Sequence, residues 1–390
     1  MNIAFVVQRY GTEILGGSEY HCRLIAERMA ARHDVDVLTT CARDYITWAN
    51  EYPEGSERIN GVTVRRFVNA ETRDIEAFNR YSEWIFHNPH TREDEMGWLE
   101  QQGPWCPPLL EYLGAHAQSY DAVIFFTYLY APTVLGLHIA AERSILVPTA
   151  HNEPAIHLDI YKELFTRPKA IAFNTEVEKA FLKATFDIRA VAEDTVGCGV
   201  DLLGGRSEAA DTGRRGLPAG PFLLYGGRID AGKGCDQLLD FYGTYKEEGG
   251  PATLVLMGAK LMPLPDVPWV RYAGLLSEAD RLRALETATI VVVPSPFESL
   301  SLLALEAMAV GKPVLCNAHA DVLVDHCRRS HAGLFYSTRE EFVECVHLLL
   351  ADRRLREEMG RNGKRYVDAN YSWSVIMAKY DTLMAALPTA

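Results

Sequence analysis

Three short stretches gather residue types that could do chemistry together. Tyr225-Gly226-Gly227-Arg228-Ile229-Asp230-Ala231-Gly232-Lys233-Gly234 sets a guanidinium and an ammonium on a glycine-rich loop. A planar bidentate cation beside a point charge suits a diphosphate. Gly227 to Lys233 also matches G-x-x-x-x-G-K, but Gly234 stands where a P-loop carries the Ser or Thr that holds magnesium. No strand ends in an Asp that would anchor the metal, so the P-loop reading is set aside. Two solvated surface cations remain the plain alternative. The second stretch runs from Pro294 to Ala309 and holds Glu298 before a helical pattern and Glu306 within it. Eight helical residues rise about 12 Å, a little over two turns, which brings both carboxylates to one side. A carboxylate among Leu, Ala and Met needs a partner, and the amides of Leu300, Ser301 and Leu302 at the helix start can meet a phosphate. Here the plain alternative is a helix-stabilising acid and a surface Glu. The third stretch, Gly16-Gly17-Ser18-Glu19, lets backbone amides approach an anion at a helix start. It lacks the full dinucleotide fingerprint, and an ordinary turn accounts for it equally well.

The elements that must position these residues alternate along the chain. Strands are expected at Ile3–Val7, Val35–Thr39, Val62–Phe67, Ala122–Phe126, Ile145–Thr149 and Ala170–Phe173, with helices over Ser18–Ala31, Thr133–Ala141 and Thr175–Ala184. Residues 71–108, rich in Trp, Asn, Pro and acids, read as an irregular insertion of the kind that faces substrates. After a Gly- and Pro-dense joint the alternation restarts. Strands follow at Phe222–Tyr225, Thr253–Met257, Val270–Tyr272, Ile290–Val293 and Pro313–Cys316. Helices follow at Cys235–Glu248, Glu278–Glu286, Ser301–Val310 and Glu340–Leu350. Repeated strand–helix units mean parallel sheets with right-handed crossovers. The fold class is therefore α/β: two Rossmann-like domains facing across a cleft, with ligands outside the carboxyl ends of the strands. The expected division is 1–200, a linker at 201–220, 221–370, and a final segment 371–390 that returns to the first domain.

Composition narrows the function classes. The 390 residues are 48% hydrophobic and 23% charged, which excludes a largely disordered chain. A net charge of -13 excludes a general pull toward nucleic acid or anionic lipid, though a local basic pocket could still hold one phosphorylated molecule. Eight scattered cysteines form no C-x-x-C pair, and Cys316, His319, His326 and Cys327 fit no common zinc spacing, so no metal is expected. A reducing cytoplasm is the simpler setting. No apolar run reaches 18 residues, and the N-terminal apolar run lacks a basic leader.

In this order and register, Gly16-Gly17-Ser18-Glu19, Gly227-Arg228 with Lys233-Gly234, and Glu298 with Glu306 closely resemble the retaining GT-B glycosyltransferases, specifically glycosyltransferase family 4. Ala307-Met308-Ala309-Val310-Gly311-Lys312-Pro313-Val314 behind the E-x7-E pair adds to the likeness, which covers most of the chain. The resemblance implies a nucleotide-sugar donor, with a uridine nucleotide and a hexose favoured, and transfer to an acceptor hydroxyl in polysaccharide or glycoconjugate synthesis. It assigns the diphosphate to Arg228, Lys233, Gly17 and the backbone of Leu300, Ser301 and Leu302. Ribose goes to Glu306, sugar hydroxyls to Glu298, and the walls around the base to Gly258 and Tyr272. His151, after a strand in Thr149-Ala150-His151-Asn152-Glu153, matches a family histidine beside the anomeric carbon. His151 and Glu298 are thus the expected catalytic groups. The resemblance implies no cofactor and no divalent metal, and a front-face mechanism in which the leaving phosphate takes the acceptor's proton. Tyr128, Tyr130 and Asn152 mark the acceptor side. Trp84, Trp98 and Trp105 could stack on sugars, core packing being the plainer role. A lipid-linked acceptor would bring the chain to the inner face of a membrane. Ser299 and Ser301 stand where the family often has Gly, and Cys198 where it has Asn. A nucleotide-sugar 2-epimerase of the same fold and a non-catalytic nucleotide-binding module are the competing readings.

Overall fold

A computed structural model describes residues 1–14, 16–201 and 217–388. The expected linker at 201–220 lies outside the described residues except for Asp201 and residues 217–220. The chain divides into two compact units, Met1–Gly199 with Ile376–Ala390, and Val200–Val375.

Unit 1 is built on β1 (Asn2–Val6), β2 (Asp34–Thr40), β3 (Gly55–Ile59), β4 (Val62–Phe67), β5 (Ala122–Phe126), β6 (Ser144–Val147), β7 (Ala170–Phe173) and β8 (Ala192–Thr195). They form one sheet in the order β3-β4-β2-β1-β5-β6-β7-β8. Every pairing is parallel except β3 with β4. That hairpin turns on Asn60 and Gly61, both at positive φ (47° and 88°), the pairing an Asn-Gly type I′ turn requires. The short apolar runs β5, β6 and β7 are buried along their whole length, as strands covered by helices on both faces must be.

The segment expected to be irregular is helical. Residues Ile75–His87, Arg92–Gln102 and Pro107–His116 form helices, the first two N-capped by Asp74 and Thr91. Phe78, Ile85, Trp98, Leu99, Leu109 and Leu113 sink from them into the same core as β1 and β5. Trp98 is buried and donates to Ser82 Oγ (2.9 Å), so it is a packing residue, whereas Trp84 is exposed and stacked on Tyr81. Trp105 packs partly buried against that core.

Unit 2 carries β9 (Phe222–Gly226), β10 (Thr253–Met257), β11 (Val270–Gly274), β12 (Ile290–Val293), β13 (Val314–Asn317) and β14 (Gly333–Tyr336). All are parallel, in the order β11-β10-β9-β12-β13-β14. Strand order reverses between β9 and β12, so the loops that follow these two neighbours leave the sheet in opposite senses and open a crevice at their carboxyl ends.

The helix Arg353–Tyr371 ends at Ser372, and Trp373–Ala385 starts a new helix whose residues from Ile376 belong to unit 1. Ile376, Tyr380, Leu383 and Met384 are buried, while Asp381 pairs with Arg32 (3.1 Å) and Lys379 Nζ donates to the carbonyl of Thr195. Among the described residues no helix is long and apolar enough to cross a membrane. Removing a buried leucine leaves a cavity as well as losing transfer energy. Leu383→Ala should therefore destabilise unit 1 by about 2–5 kcal/mol in urea unfolding; a midpoint shift equivalent to under ~0.5 kcal/mol, the scale of surface changes, would show that this helix is not part of the unit's core.

Candidate active site

In unit 2 the loops after β9, β10 and β12 press against one another. Gly227 and Gly258 lie at φ 148° and 125°, and a Cβ on Gly258 would stand 1.9 Å from the carbonyl oxygen of Gly227. Gly227 N–H donates to Met257 O (3.0 Å) and Gly258 N–H to Gly274 O (2.8 Å), which ties three strand ends together. Gly234, at φ 71°, passes so near the loop after β12 that a Cβ would be 2.4 Å from Pro294 O. Only glycine permits these approaches.

The close packing brings the charged groups together. Lys233 Nζ lies 2.8 Å from Glu298 Oε1, with side chains 30% and 16% exposed. Arg228 sits on the same loop, 3.6 Å from Asp230 Oδ2. Asp230 also accepts from the Lys233 amide (2.8 Å) and caps the single turn 231–233 that aims the lysine. The Tyr225 hydroxyl donates to Arg228 O (2.6 Å) and fixes the loop from inside the sheet. The two cations and the first carboxylate of the E-x7-E pair thus share the crevice at the switch point.

Ser301 begins the next helix, Leu302–Ala309, in the left-handed region at φ 64°. A Cβ there costs energy that glycine does not pay, which gives a physical reason for glycine at such a position. The preceding carbonyl of Leu300 is held by His326, a buried ring whose Nε2 donates to it (2.9 Å) while Nδ1 accepts from Tyr366 O–H (2.9 Å). Burial pushes the His326 pKa down to about 4, so the ring is neutral in this role. Cys316 and Cys327 Sγ lie 3.6 Å apart, and His319 turns to Asn317 Oδ1. Among the described residues no three His, Cys, Asp or Glu side chains converge as metal ligands.

Glu306 has a partner that the sequence did not reveal. Arg281, from the helix Glu278–Thr287, forms an ion pair with Glu306 and grips Glu278 (2.6 Å) with its other nitrogen. Burial pushes the Glu306 carboxyl upward and Arg281 opposes it, while the paired acids hold the guanidinium firmly charged. Tyr272 is exposed, donates to Gly258 O (2.9 Å) and lies under Lys260 (5.6 Å to the ring), so the two expected base-wall residues are hydrogen-bonded to each other.

Unit 1 assembles a second strand-end cluster. His151 Nε2 lies 3.5 Å from Glu153 Oε2, and the other oxygen of Glu153 accepts from Tyr128 O–H (2.6 Å). Tyr128, expected on the acceptor side, is buried, edge-on to Tyr161 (4.9 Å), and its hydroxyl anchors Glu153. Tyr130 caps the helix Ala131–Ala140 and meets Trp48 edge-on (5.5 Å), and Asn152 Oδ1 faces His157 Nε2 (2.8 Å). Thr127 and Thr149, just past β5 and β6, both have positive φ (64° and 51°), strain of the sort that clusters at functional sites. Gly17 has open space above its Cα, whereas a Cβ on Gly16 would strike Glu19 (2.1 Å). Glu19 is buried and clasped by Arg9 (2.5 Å and 2.9 Å), so Gly16 makes room for that pair.

Residues 214–366 match the family of glycosyl transferases group 1. Unit 2 carries a group 1 glycosyl transferase domain. An uncharacterized glycosyltransferase of Methanocaldococcus jannaschii is 24% identical over 96% of both chains. Sucrose-phosphate synthase of Thermosynechococcus elongatus superposes with a TM-score of 0.71 at 19% identity, covering 99% of this chain and 98% of that one. Anabaena HepE, solved in complex with UDP-glucose, superposes at 0.70 and 17% identity over 99% and 100%. The two parallel-sheet units have the GT-B architecture of these structures, and the chain is a transferase enzyme.

Glu178 was absent from the expected site. It is buried, and its oxygens accept from the amides of Ala150 and Asn174 (2.5 Å each), fixing the loop before His151. Burial outweighs these amides and pushes its pKa up to about 8. A folded-state pKa raised above the ordinary carboxyl value gives stability that is complete below about pH 4.5 and lost as pH rises through 8. Buried His21 and His326, each pushed down to about 4 from an ordinary value of 6.5, act oppositely, but only below about pH 6.5. Unfolding by urea should thus become easier for the wild type between pH 6.5 and 8.5, and Glu178→Gln should flatten that decline. An identical pH slope in both proteins would contradict a neutral Glu178.

Proposed function

We propose that the chain is a retaining glycosyltransferase of family 4 that moves a hexose from a UDP-linked donor to an acceptor hydroxyl without a divalent metal, in the building of a polysaccharide or glycoconjugate. The observation that carries this reading is the meeting of Lys233 and Glu298 at 2.8 Å, beside Arg228, at the switch point of the group 1 domain's sheet. Cations on glycine-rich backbone at that position suit a pyrophosphate. The likeness to Anabaena HepE, which binds UDP-glucose, supports the choice of donor.

In this reading Arg228 and Lys233 exchange their present partners, Asp230 and Glu298, for the diphosphate oxygens. Backbone amides at Gly17 and from Leu300 to Leu302 add donors, with Ser301 held in its left-handed turn. Glu298, released from Lys233, accepts from hydroxyls of the hexose. Glu306, paired with Arg281, accepts from the ribose hydroxyls, and Gly258 with Tyr272 walls the base. The bond from the anomeric carbon to the diphosphate breaks, and the acceptor oxygen bonds to that carbon on the same face. The acceptor's proton passes to the departing phosphate oxygen, so no protein nucleophile is needed. His151, steadied by Glu153, contacts the sugar as charge develops on it, and Tyr130 and Asn152 border the acceptor.

A thermal-shift screen of nucleotides and nucleotide sugars with EDTA present tests the donor, because a ligand of the native state raises its stability. UDP and a UDP-hexose should stabilise the protein, and incubation with acceptor should release UDP; stabilisation that requires magnesium would overturn the metal-free site. An epimerase would instead return the sugar still attached to its nucleotide.

Lys233→Ala and Arg228→Ala should each weaken donor binding by about 1.5–3 kcal/mol, the scale of a charge-assisted hydrogen bond. Wild-type affinity in both would remove the diphosphate assignment. His151→Ala should lower kcat by a larger factor than it raises the dissociation constant of UDP; equal losses would make His151 a structural residue.

A further inference from the structure

Unit 2 has a second charged recess, and it lies at the opposite end of the sheet from the glycine-rich loops. Thr289 and Pro313 immediately precede β12 and β13, and with Lys312, Arg353, Arg356 and Glu357 they line a cavity of about 290 Å³. The close fit of one helix creates it. Gly360 and Gly363 let the helix Arg353–Tyr371 lie against Met308 and Gly311, where a Cβ on Gly360 would stand 2.3 Å from Gly311 O. The first turn of that helix therefore sets two arginines beside Lys312.

The charges in this recess do not cancel. Its one acid, Glu357, is taken by Arg353 (Nε to Oε1, 2.8 Å). Arg356 spends one nitrogen on the carbonyls of Leu349 and Leu350 at the end of the helix Arg339–Ala351, which fixes the guanidinium in place and neutralises none of its charge. Lys312 is half-buried, and among the described residues no carboxylate lies within ion-pair distance of it. Burial pushes its pKa down, Arg356 and Lys364 push the same way, and Glu286 opposes them from a distance. Thr289 Oγ accepts from the Phe222 amide (3.2 Å), which leaves its hydroxyl proton to be donated. On a chain of net charge -13, two uncompensated cations and a hydroxyl at one recess need explaining. The surroundings of Lys312 become favourable when an anion enters.

We propose that this recess binds the phosphate group of a small molecule, with Lys312, Arg356 and the Thr289 hydroxyl as its contacts. The recess is open to solvent and its volume lies just under the usual range of small-molecule sites (roughly 300–1,000 Å³), a size that suits inorganic phosphate or a phosphorylated single sugar. β12 joins the recess to the loop that carries Glu298 by four residues, about 13 Å of buried strand. An anion bound here is therefore connected through the sheet to the other end of the domain.

The test is titration at low ionic strength, where an open charged site is least screened, read by calorimetry and thermal shift. The probes are inorganic phosphate, a hexose 6-phosphate and the unphosphorylated hexose. They are applied to the full-length wild type, Lys312→Met, Arg353→Met and Lys233→Ala. Phosphate and hexose 6-phosphate should bind the wild type and Lys233→Ala alike, bind Lys312→Met at least about tenfold more weakly, the factor expected for a lost charge-assisted contact, and leave the neutral hexose inert. Hexose 6-phosphate binding more tightly than phosphate identifies a sugar phosphate as the ligand; equal affinities identify phosphate alone. Binding that survives in Lys312→Met, is lost in Lys233→Ala, or is absent from the wild type overturns the proposal. Since Lys233→Ala disables only the glycine-rich end, failure here and failure of the donor assignment give different results. Arg353→Met should retain binding, because that arginine is exposed and already paired.

Discussion

One steric constraint underlies the charged end of unit 2: the loops after β9, β10 and β12 leave neighbouring strands with no room for side chains where their backbones cross. Gly227 against Gly258 and Gly234 against Pro294 are contacts of backbone on backbone. This is why Lys233, on the same loop as Arg228, can reach the carboxylate of the next. A larger residue at either crossing would force the loops apart and disturb the 2.8 Å pair of Lys233 and Glu298. The charge pattern is therefore a consequence of the glycine pattern, and the parallel sheet with its reversal between β9 and β12 makes the crossings adjacent.

Buried carboxylates hold the rest in place, each in a different way. Glu19 is matched by Arg9 and so orders the start of the first helix of unit 1. Glu306 is matched by Arg281, which also grips Glu278 and so fixes a helix to the site. Among the described residues Glu178 pairs with no cation; it meets two backbone amides, and burial prevails over them. Placing an uncompensated carboxylate at the strand end costs energy, and with the left-handed Thr149 it marks the loop of His151 as a place where the fold accepts strain.

The fold was legible because its signals are periodic and local. Apolar runs such as Ala122–Phe126 and Ile290–Val293 appear as buried strands at the positions their sequence indicates, and the restart of alternation after residue 221 marks the second sheet. The misses have physical causes. β3 is an exposed Gly-Ser-Glu-Arg-Ile edge with no apolar alternation, although Asn60-Gly61 behind it was a readable hairpin turn. The helices within 71–108 were hidden because their composition is polar outside the few positions that face the core; the capping acids Asp74 and Asp94 were the available clue. Lys233, Arg228 and Glu298 were legible as candidates because each follows a strand end, the two cations on a glycine-rich loop. Arg281, Glu153 and Glu178 were missed because each meets a partner distant in sequence (Glu306, Tyr128 and the amide of Ala150), and nothing local distinguishes an arginine that pairs with Glu306 from any other on a polar helix.

The two ends of the unit 2 sheet treat positive charge differently, and the difference bears on what each can bind. At the glycine-rich end each cation already has an acid: Arg228 has Asp230 and Lys233 has Glu298. Such partners orient the side chains in advance, and a ligand must offer more than a single exposed charge to replace them, as a pyrophosphate with several oxygens does. That arrangement raises selectivity at some cost in affinity. At the amino end Lys312 and Arg356 face a cavity with their charges uncancelled, the arginine fixed by helix-end carbonyls. There a monoanion suffices, because no acid has to be displaced and the lysine regains the stabilisation that burial took from it. On the two proposed readings the glycine-rich end would take the large substrate and the amino end the small ion, both positioned by the same six parallel strands.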